Sequence, residues 1–287
     1  MTVIDAHHHL WDLSRRAQPW LDEPQLDPIR RTFDEADYAS VAKAVGIERG
    51  ILVQVLPDID ETREFLALAA GSELIAGVVG WADLTAPDIA DTVAALRAGP
   101  GGDRLVGIRH LVQAEADARW LCRPDVRRGL RALSDADVRY DLLTVPHQLP
   151  AAIETVRALP ELTFVLDHLS KPPVASGGTE PWSAQLRELA REPNVYCKLS
   201  GIVTEADPAS WTVADLRPYA EIALDAFGPA RLMFGSDWPV CLLAASYAEV
   251  RDAADQLTAA LSPDERAEIF GRTAARAYGE RVQIVSR

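Results

Sequence analysis

Three short phrases of this chain carry side chains that can bind a cation, move a proton or hold an anion. The first is Asp5-Ala6-His7-His8-His9-Leu10-Trp11. Successive side chains of a strand point to opposite faces, so His7 and His9 share one face and His8 takes the other. Two imidazoles side by side can grip one divalent ion or polarise one substrate oxygen. A terminal tag would also be histidine-rich, but strand-like residues precede this cluster and Leu-Trp follows it. The second phrase is Leu166-Asp167-His168-Leu169-Ser170-Lys171-Pro172-Pro173, where an apolar run ends in a histidine with a lysine nearby. Standing alone, His168 would read as a satisfied histidine at a rim. The third is Phe234-Gly235-Ser236-Asp237-Trp238-Pro239. A carboxylate emerging from a buried run can ligate a metal and accept a proton from water, or it can cap the next loop.

These phrases need elements that bring them to one place. Apolar, β-branched runs recur at 3–6, 50–56, 75–81, 105–110, 138–144, 163–167, 195–199 and 232–236. Continuous apolar runs of this length suit strands buried on both faces of a parallel sheet. Helix-favouring stretches lie between them at 60–70, 87–98, 124–136, 149–159, 181–191 and 218–227, several with Pro near the start or Gly just past the end. The alternation is that of βα units. Eight strands favour a closed (β/α)8 TIM barrel of α/β class, one domain over 1–287, rather than an open sheet, and no strand is followed by GxGxxG or a P-loop. Helices at 246–261 and 263–278 fill the tail. In such a barrel the ends of strands one, six and eight share one mouth, which unites His7, His9, His168 and Asp237. The connection over 11–33, with Pro19, Trp20, Pro24 and Pro28, reads equally as a lid and as surface covering.

Bulk properties narrow the partners. The 287 residues carry a formal charge of −14, which repels nucleic acid and anionic membrane surfaces. The three cysteines, Cys122, Cys197 and Cys241, are odd in number and form no CxxC pair, so neither a disulfide framework nor a thiolate metal site is expected. MTVIDAHHHLWD lacks the form of a signal peptide, and no segment approaches a membrane span, so a cytoplasmic protein is expected. Formation of a homo-oligomer is left open. Against this acidic background Arg109, Lys171 and Lys198 fall at or near C-terminal strand ends, as expected for an oxygen-rich ligand or an oxyanion. Arg109 suits a bidentate grip on a carboxylate or carbonyl, or a salt bridge at the rim. Lys198, inside a buried strand, must reach a partner or a pocket.

The phrases IDAHHHLWD, GIRH, VLDHLSKPP, YCKLSG and LMFGSDWPV, spread over residues 4–240, resemble the amidohydrolase superfamily. Within it they are similar to the sugar-lactone hydrolases of amidohydrolase family 2, the fuconolactonase and rhamnonolactonase type. The resemblance implies a TIM-barrel hydrolase that opens a small lactone, foremost an aldonolactone, to its hydroxy acid. It assigns the metal or active-site positions to His7, His9, His168 and Asp237. Asp237 would then be the general base, His168 would act beside it, and Arg109 would stabilise the developing oxyanion. Lys171, Lys198, Gln54 and Trp81 would face the substrate, although Gln54 and Trp81 read equally well as core packing. Members of this branch work with one divalent ion, zinc or similar, or without a tightly held one. The chain departs from binuclear relatives at strand four, where Gly107-Ile108-Arg109-His110 offers no bridging Lys or Glu, so at most one ion is expected. After strand five, where a histidine ligand is common, the nearest is His147, out along the loop. The tail reads Gly271-Arg272-Thr273-Ala274-Ala275 where relatives often have Asn before the Ala pair, a matter of helix packing. A decarboxylase of the same superfamily would share the fold and the His/Asp set, and a non-catalytic metabolite-binding barrel is the remaining alternative.

Overall fold

The protein is described here by a computed structural model covering residues 2–283. Eight strands follow one another around a single sheet: β1 (Ile4–His8), β2 (Arg49–Val53), β3 (Ile75–Gly80), β4 (Leu105–His110), β5 (Arg139–Leu142), β6 (Phe164–Leu166), β7 (Val195–Leu199) and β8 (Leu232–Phe234). Each pairs in parallel with the next. The residues just past β8 close the ring: the Asp237 N–H donates to His7 O at 2.8 Å, and the His9 N–H donates to Trp238 O at 2.7 Å. Closure is therefore made by residues of the first and third chemical phrases, His7 and His9 with Asp237 and Trp238.

Around the strands run α1 (Glu35–Ala44), α2 (Ile59–Gly71), α3 (Ile89–Ala98), α4 (Pro124–Asp135), α5 (Leu149–Ala158), α6 (Trp182–Leu189), α7 (Val213–Phe227) and α8 (Tyr247–Leu257). The strands read as expected for a parallel barrel, β3 being buried at all six positions of IAGVVG. The helices bury one stripe. In α4 this is Val126, Gly129, Leu130 and Leu133, the i, i+3, i+4, i+7 pattern. Each such leucine contributes roughly 1.5–3 kcal/mol on burial. Gly129 permits the approach, since a Cβ there would lie 2.2 Å from Leu84 O.

Three local expectations are corrected. Helix α1 was not foreseen, although Asp34 and Asp37 form its capping box. Pro218 does not start a helix: α7 begins at Val213, where Asp215 accepts from the Thr212 N–H at 2.8 Å, and Pro218 lies inside it. The tail helix expected over 263–278 is split into α9 (Pro263–Ala267), a π-turn over Glu268–Arg272, and α10 (Thr273–Tyr278). Residues Ala274, Ala275, Ala277 and Tyr278 join Ile4, Ile51, Ala76, Val106 and Met233 in one apolar cluster, so α10 plugs the end of the barrel opposite the histidines. The connection over 11–33 is pinned at its base, where Trp11 and Phe33 exchange backbone hydrogen bonds of 3.1 and 2.9 Å.

Candidate active site

The register of β1 shifts between Asp5 and His8. His8 faces outward and stacks on Tyr38, with ring centroids 3.7 Å apart. His7 and His9 turn inward, their Nε2 atoms 3.1 Å apart. Asp5 anchors the strand from its other side. Its carboxylate accepts from the His7 N–H (3.1 Å), the Ser236 N–H (2.8 Å) and hydroxyl (2.6 Å), Tyr38 (3.1 Å) and Tyr247 (2.8 Å). One buried carboxylate thus ties β1 to the loop after β8 and to helices α1 and α8. Burial pushes its pKa up against the pull of these donors.

His168 and Asp237 are held in strained backbone. His168, Leu169, Ser170 and Lys171 all have φ between 52° and 58°, and Asp237 has φ 57°. Each L-residue in this left-handed region costs about 1–2 kcal/mol, so the turn persists only because its surroundings fix it. The Lys171 N–H donates to His168 O (2.7 Å), Trp182 Nε1 to Leu169 O (2.7 Å), and the Thr144 and Ser170 hydroxyls meet at 2.8 Å. His168 Nδ1 lies 2.8 Å from Ser200 Oγ. The turn swings the imidazole over the barrel axis, where its ring centroid is 4.4 Å from that of His7.

The three Nε2 atoms converge on Asp237. His7, His9 and His168 Nε2 lie 3.7, 3.4 and 3.8 Å from Asp237 Oδ1. His7, His168 and Asp237 form a group whose donor atoms all lie within 4.8 Å of one another, and His9 flanks its His7–Asp237 edge. Zinc–nitrogen and zinc–oxygen bonds of about 2.0–2.2 Å in a tetrahedron put ligand atoms roughly 3.3–3.6 Å apart. The donor types and most of the spacings fit such an ion. The outer nitrogens support this use. His9 Nδ1 donates to Val53 O at 2.8 Å, which leaves its Nε2 lone pair facing the site. His7 Nδ1 stands 3.3 Å from Asp167 Oδ1 and 3.1 Å from Lys198 Nζ. A cation at Nε2 selects the tautomer in which Nδ1–H donates to Asp167.

Electrostatics keep the set in a fixed charge state. Burial disfavours charge on His168 and brings its pKa to about 4 despite Asp237 and Asp167, so it is neutral at pH 7. His7 is also held well below the ordinary histidine value, first by burial and then by Lys198. Asp237 goes the other way. Burial works against its ionisation, but His168 and a hydrogen bond from His9 outweigh it and hold the carboxyl well below the usual range.

Two cations expected to face a substrate lie in a buried polar layer beside His7. Arg109 is 2% exposed and Lys198 0% exposed. Arg109 salt-bridges Asp167 at 3.0 Å and donates to Gln54 O, with Nη1 3.3 Å from His7 Nε2. Lys198 pairs with Asp141 at 2.6 Å and Asp167 at 2.9 Å. Tyr278 completes this buried layer by donating to Asp141 at 2.7 Å. The layer lies under the histidines, where an ionised partner offsets the cost of burying each charge. Asp141 and Asp167 were missed because a carboxylate inside an apolar run carries no periodic signal. Gln54 is buried beside Arg109, within 3.4 Å of its carbonyl and guanidinium. Trp81 is half-buried and donates to His110 Nδ1 at 3.3 Å, and His110 stacks on Trp120. Lys171 pairs with Glu205 at 3.3 Å. His147 is exposed in a short turn over Pro146–Gln148, outside the donor group.

The chain is similar over nearly its whole length to known proteins. The amidohydrolase family matches residues 4–279. The L-fucono-1,5-lactonase of Burkholderia ambifaria is 38% identical over 283 residues, covering 96% of this chain and 94% of its own. That of Burkholderia multivorans is 41% identical over 286 residues, covering 96% and 95%. A solved amidohydrolase structure from Burkholderia multivorans, with bound zinc, superposes with a TM-score of 0.91 at 41% identity over 97% of this chain and 99% of that one. The solved 5-carboxyvanillate decarboxylase of Sphingomonas paucimobilis shares the fold alone, at 14% identity and a TM-score of 0.64 over 96% of this chain and 98% of that one. The chain belongs to the amidohydrolase family.

Proposed function

We propose that this protein hydrolyses a sugar 1,5-lactone, L-fucono-1,5-lactone or a close stereoisomer, to the open hydroxy acid. The observation that carries the reading is the convergence of three imidazole Nε2 atoms on one ionised carboxylate at the C-terminal mouth of the barrel. His7, His168 and Asp237, with His9 at their edge, would hold one divalent ion of the zinc class. When bound, that ion supplies Lewis-acid polarisation of the lactone carbonyl. Arg109, beside His7 Nε2, repels a cation there, and Asp237 and Asp167 offset that repulsion.

The side chains carry the proton traffic. Water adds to the ring carbonyl and Asp237 takes its proton. The carbonyl carbon–ring oxygen bond then breaks, and Asp237 returns the proton to the leaving ring oxygen. A base assisting this way contributes typically 10²–10⁴-fold. His168, neutral at pH 7, keeps its Nε2 lone pair turned to the site while Nδ1 is held by Ser200. Arg109, its Nη1 3.3 Å from His7 Nε2, serves as a fixed positive charge near the developing oxyanion. Lys198 is a positioning residue that sets Asp167 and His7. Trp81 and His110 offer an aromatic wall for a sugar ring.

The test is a pH-indicator assay on L-fucono-1,5-lactone and other aldono-1,5-lactones, with carbon dioxide release measured in parallel on aromatic acids. Ring opening at a rate proportional to enzyme is expected. No opening of any aldonolactone above the buffer rate would end the proposal, and carbon dioxide release would replace it with decarboxylation. We also read the chain as one domain working in the cytoplasm. The three cysteines are all free, and no helix among the described residues is long and apolar enough to cross a membrane.

A further inference from the structure

On the side of β3 and β4 the C-terminal end of the barrel carries Trp81, His110, Glu115 and Trp120, joined into one array. Trp81 follows β3, His110 ends β4, and Glu115 and Trp120 lie in the connection from β4 to α4. Of the seven tryptophans, Trp11, Trp120, Trp182 and Trp238 are core residues, and Trp20 and Trp211 pack against the core. Half-buried Trp81 belongs to neither group, so the core does not cover it. Yet it is held at both ends. The hydroxyl of Thr62, on α2, accepts from the Trp81 N–H at 2.7 Å and donates to the Trp81 carbonyl at 2.9 Å. The indole Nε1 reaches His110 Nδ1 at 3.3 Å.

The proton positions in this array follow from the donor types. An indole N–H can only donate, so His110 Nδ1 must be the acceptor. In a neutral imidazole the proton then sits on Nε2, which stands 2.7 Å from Glu115 Oε1 and donates to it. Trp120 fixes the plane of the imidazole, lying within 6° of parallel at a centroid distance of 4.2 Å. Glu115 thus sets the tautomer, Trp120 sets the plane, and His110 passes both on to Trp81. Ordering a side chain at the moment of binding costs affinity, and a residue fixed beforehand escapes that cost. An aromatic side chain left off the core and fixed at both ends is a surface ready for a ligand.

We propose that His110 is a positioning residue for substrate recognition: it holds the Trp81 indole as a platform for the apolar C–H face of the sugar-lactone ring, and Glu115 selects the tautomer that makes the hold possible. The platform rests on the lactone reading; the hold on Trp81 does not. His110 therefore acts through Trp81, not on the reacting atoms, and its loss should be felt in binding before it is felt in turnover.

The experiment combines steady-state kinetics on L-fucono-1,5-lactone with the indole N–H region of the proton–nitrogen NMR spectrum of the full chain, where Trp81→Phe identifies the Trp81 signal. The amide of glutamine reaches the place of Nε2, and that of asparagine the place of Nδ1. His110→Gln therefore keeps a donor for Glu115 and loses the acceptor for Trp81, whereas the asparagine oxygen in His110→Asn restores that acceptor. Leaving one side chain to be ordered by the substrate costs roughly two- to tenfold in affinity. His110→Gln and Trp81→Phe should each raise KM by that factor with kcat much less affected. The two together should raise it no more than either alone, and His110→Asn should recover most of the loss. The Trp81 indole signal should shift in His110→Gln and return toward its parent position in His110→Asn. With lactone turnover established, a His110→Gln variant whose KM equals that of the parent overturns the proposal and leaves the lactone reading standing. Equal losses in His110→Gln and His110→Asn overturn it too, since His110 would then act by packing alone, as does a Trp81 signal that ignores His110→Gln. A parent that opens no aldonolactone overturns the lactone reading and the platform with it.

Discussion

A single methyl group at Gly201 should disable the site without unfolding the protein. Gly201 follows Ser200 and has φ +65°. A Cβ placed there would lie 2.5 Å from His168 Nδ1 and 2.7 Å from its Cγ, and ordinary contact begins near 3.4 Å, so the ring must retreat by about 0.9 Å. His168 cannot yield at low cost, because its backbone is locked in the left-handed turn and its Nδ1 is held by Ser200. A displacement of about 1 Å at a reacting group can reduce rate by about 10²-fold. The stability cost of alanine at positive φ is roughly 1 kcal/mol or somewhat more, a fall in Tm of about 2–4 °C in a chain of this size. Gly177 separates the two effects. It has φ +70°, and a Cβ there meets nothing within 4 Å. Gly201→Ala should lose about 10²-fold in kcat on the best lactone, whereas Gly177→Ala should lose a similar few degrees of Tm and keep its activity. The assay is lactone hydrolysis beside a thermal melt. A folded Gly201→Ala with activity within threefold of the parent would refute the reasoning, as would an equal activity loss in Gly177→Ala.

Asp237→Asn keeps size and polarity but cannot accept a proton, so kcat should fall 10²–10⁴-fold with KM little changed, as steady-state kinetics will show. Lys198→Met leaves Asp141 and Asp167 buried without their shared cation; losing one partner of a buried pair costs about 3–5 kcal/mol, readable as a large drop in urea midpoint. Glu61, buried where its carboxylate accepts from the Val55 and Leu56 N–H groups, has its pKa raised by burial to about 7. Its stabilising contribution is present below the unfolded value near 4.5 and is lost as pH rises through 7, so Glu61→Gln should raise Tm over the parent more at pH 8 than at pH 5. Zinc retained after dialysis should not exceed one ion per chain and should fall in His168→Asn; two ions per chain by elemental analysis would contradict the reading of β4 as lacking a bridging ligand.

Much of the barrel was legible because its signals are local. Eight apolar runs mark eight strands, and alternation alone separates His8 from His7 and His9. The failures have physical reasons. Helix α1 follows an irregular, proline-rich connection whose lack of period masked the Asp34–Asp37 box. Pro218 imitates a helix start, and the stronger signal, the Thr212 and Asp215 capping box, sets the start upstream at Val213. Arg109 and Lys198 sit at strand positions that face inward, but depth along the barrel axis is not written in the sequence. Whether an inward cation reaches the mouth or a buried layer depends on Asp141 and Asp167, which are contributed by other strands. The left-handed turn at His168 was invisible because it contains no glycine, so its strain is borne by tertiary contacts with Thr144, Trp182 and Ser200.

The hydrogen bond from Tyr278 to Asp141 has a consequence for the order in which activity appears during synthesis. Asp141 holds Lys198, and Lys198 stands against His7, so a catalytic group on β1 is braced by a hydroxyl on α10. A nascent chain whose strands have already emerged from the ribosome, but whose α10 is still inside the exit tunnel, leaves Asp141 short of a donor and the barrel floor unplugged. The brace on the site is thereby deferred until α10 has docked on the barrel floor. A chain cut between Phe234 and Tyr278 keeps all eight strands and loses the donor that braces Asp141.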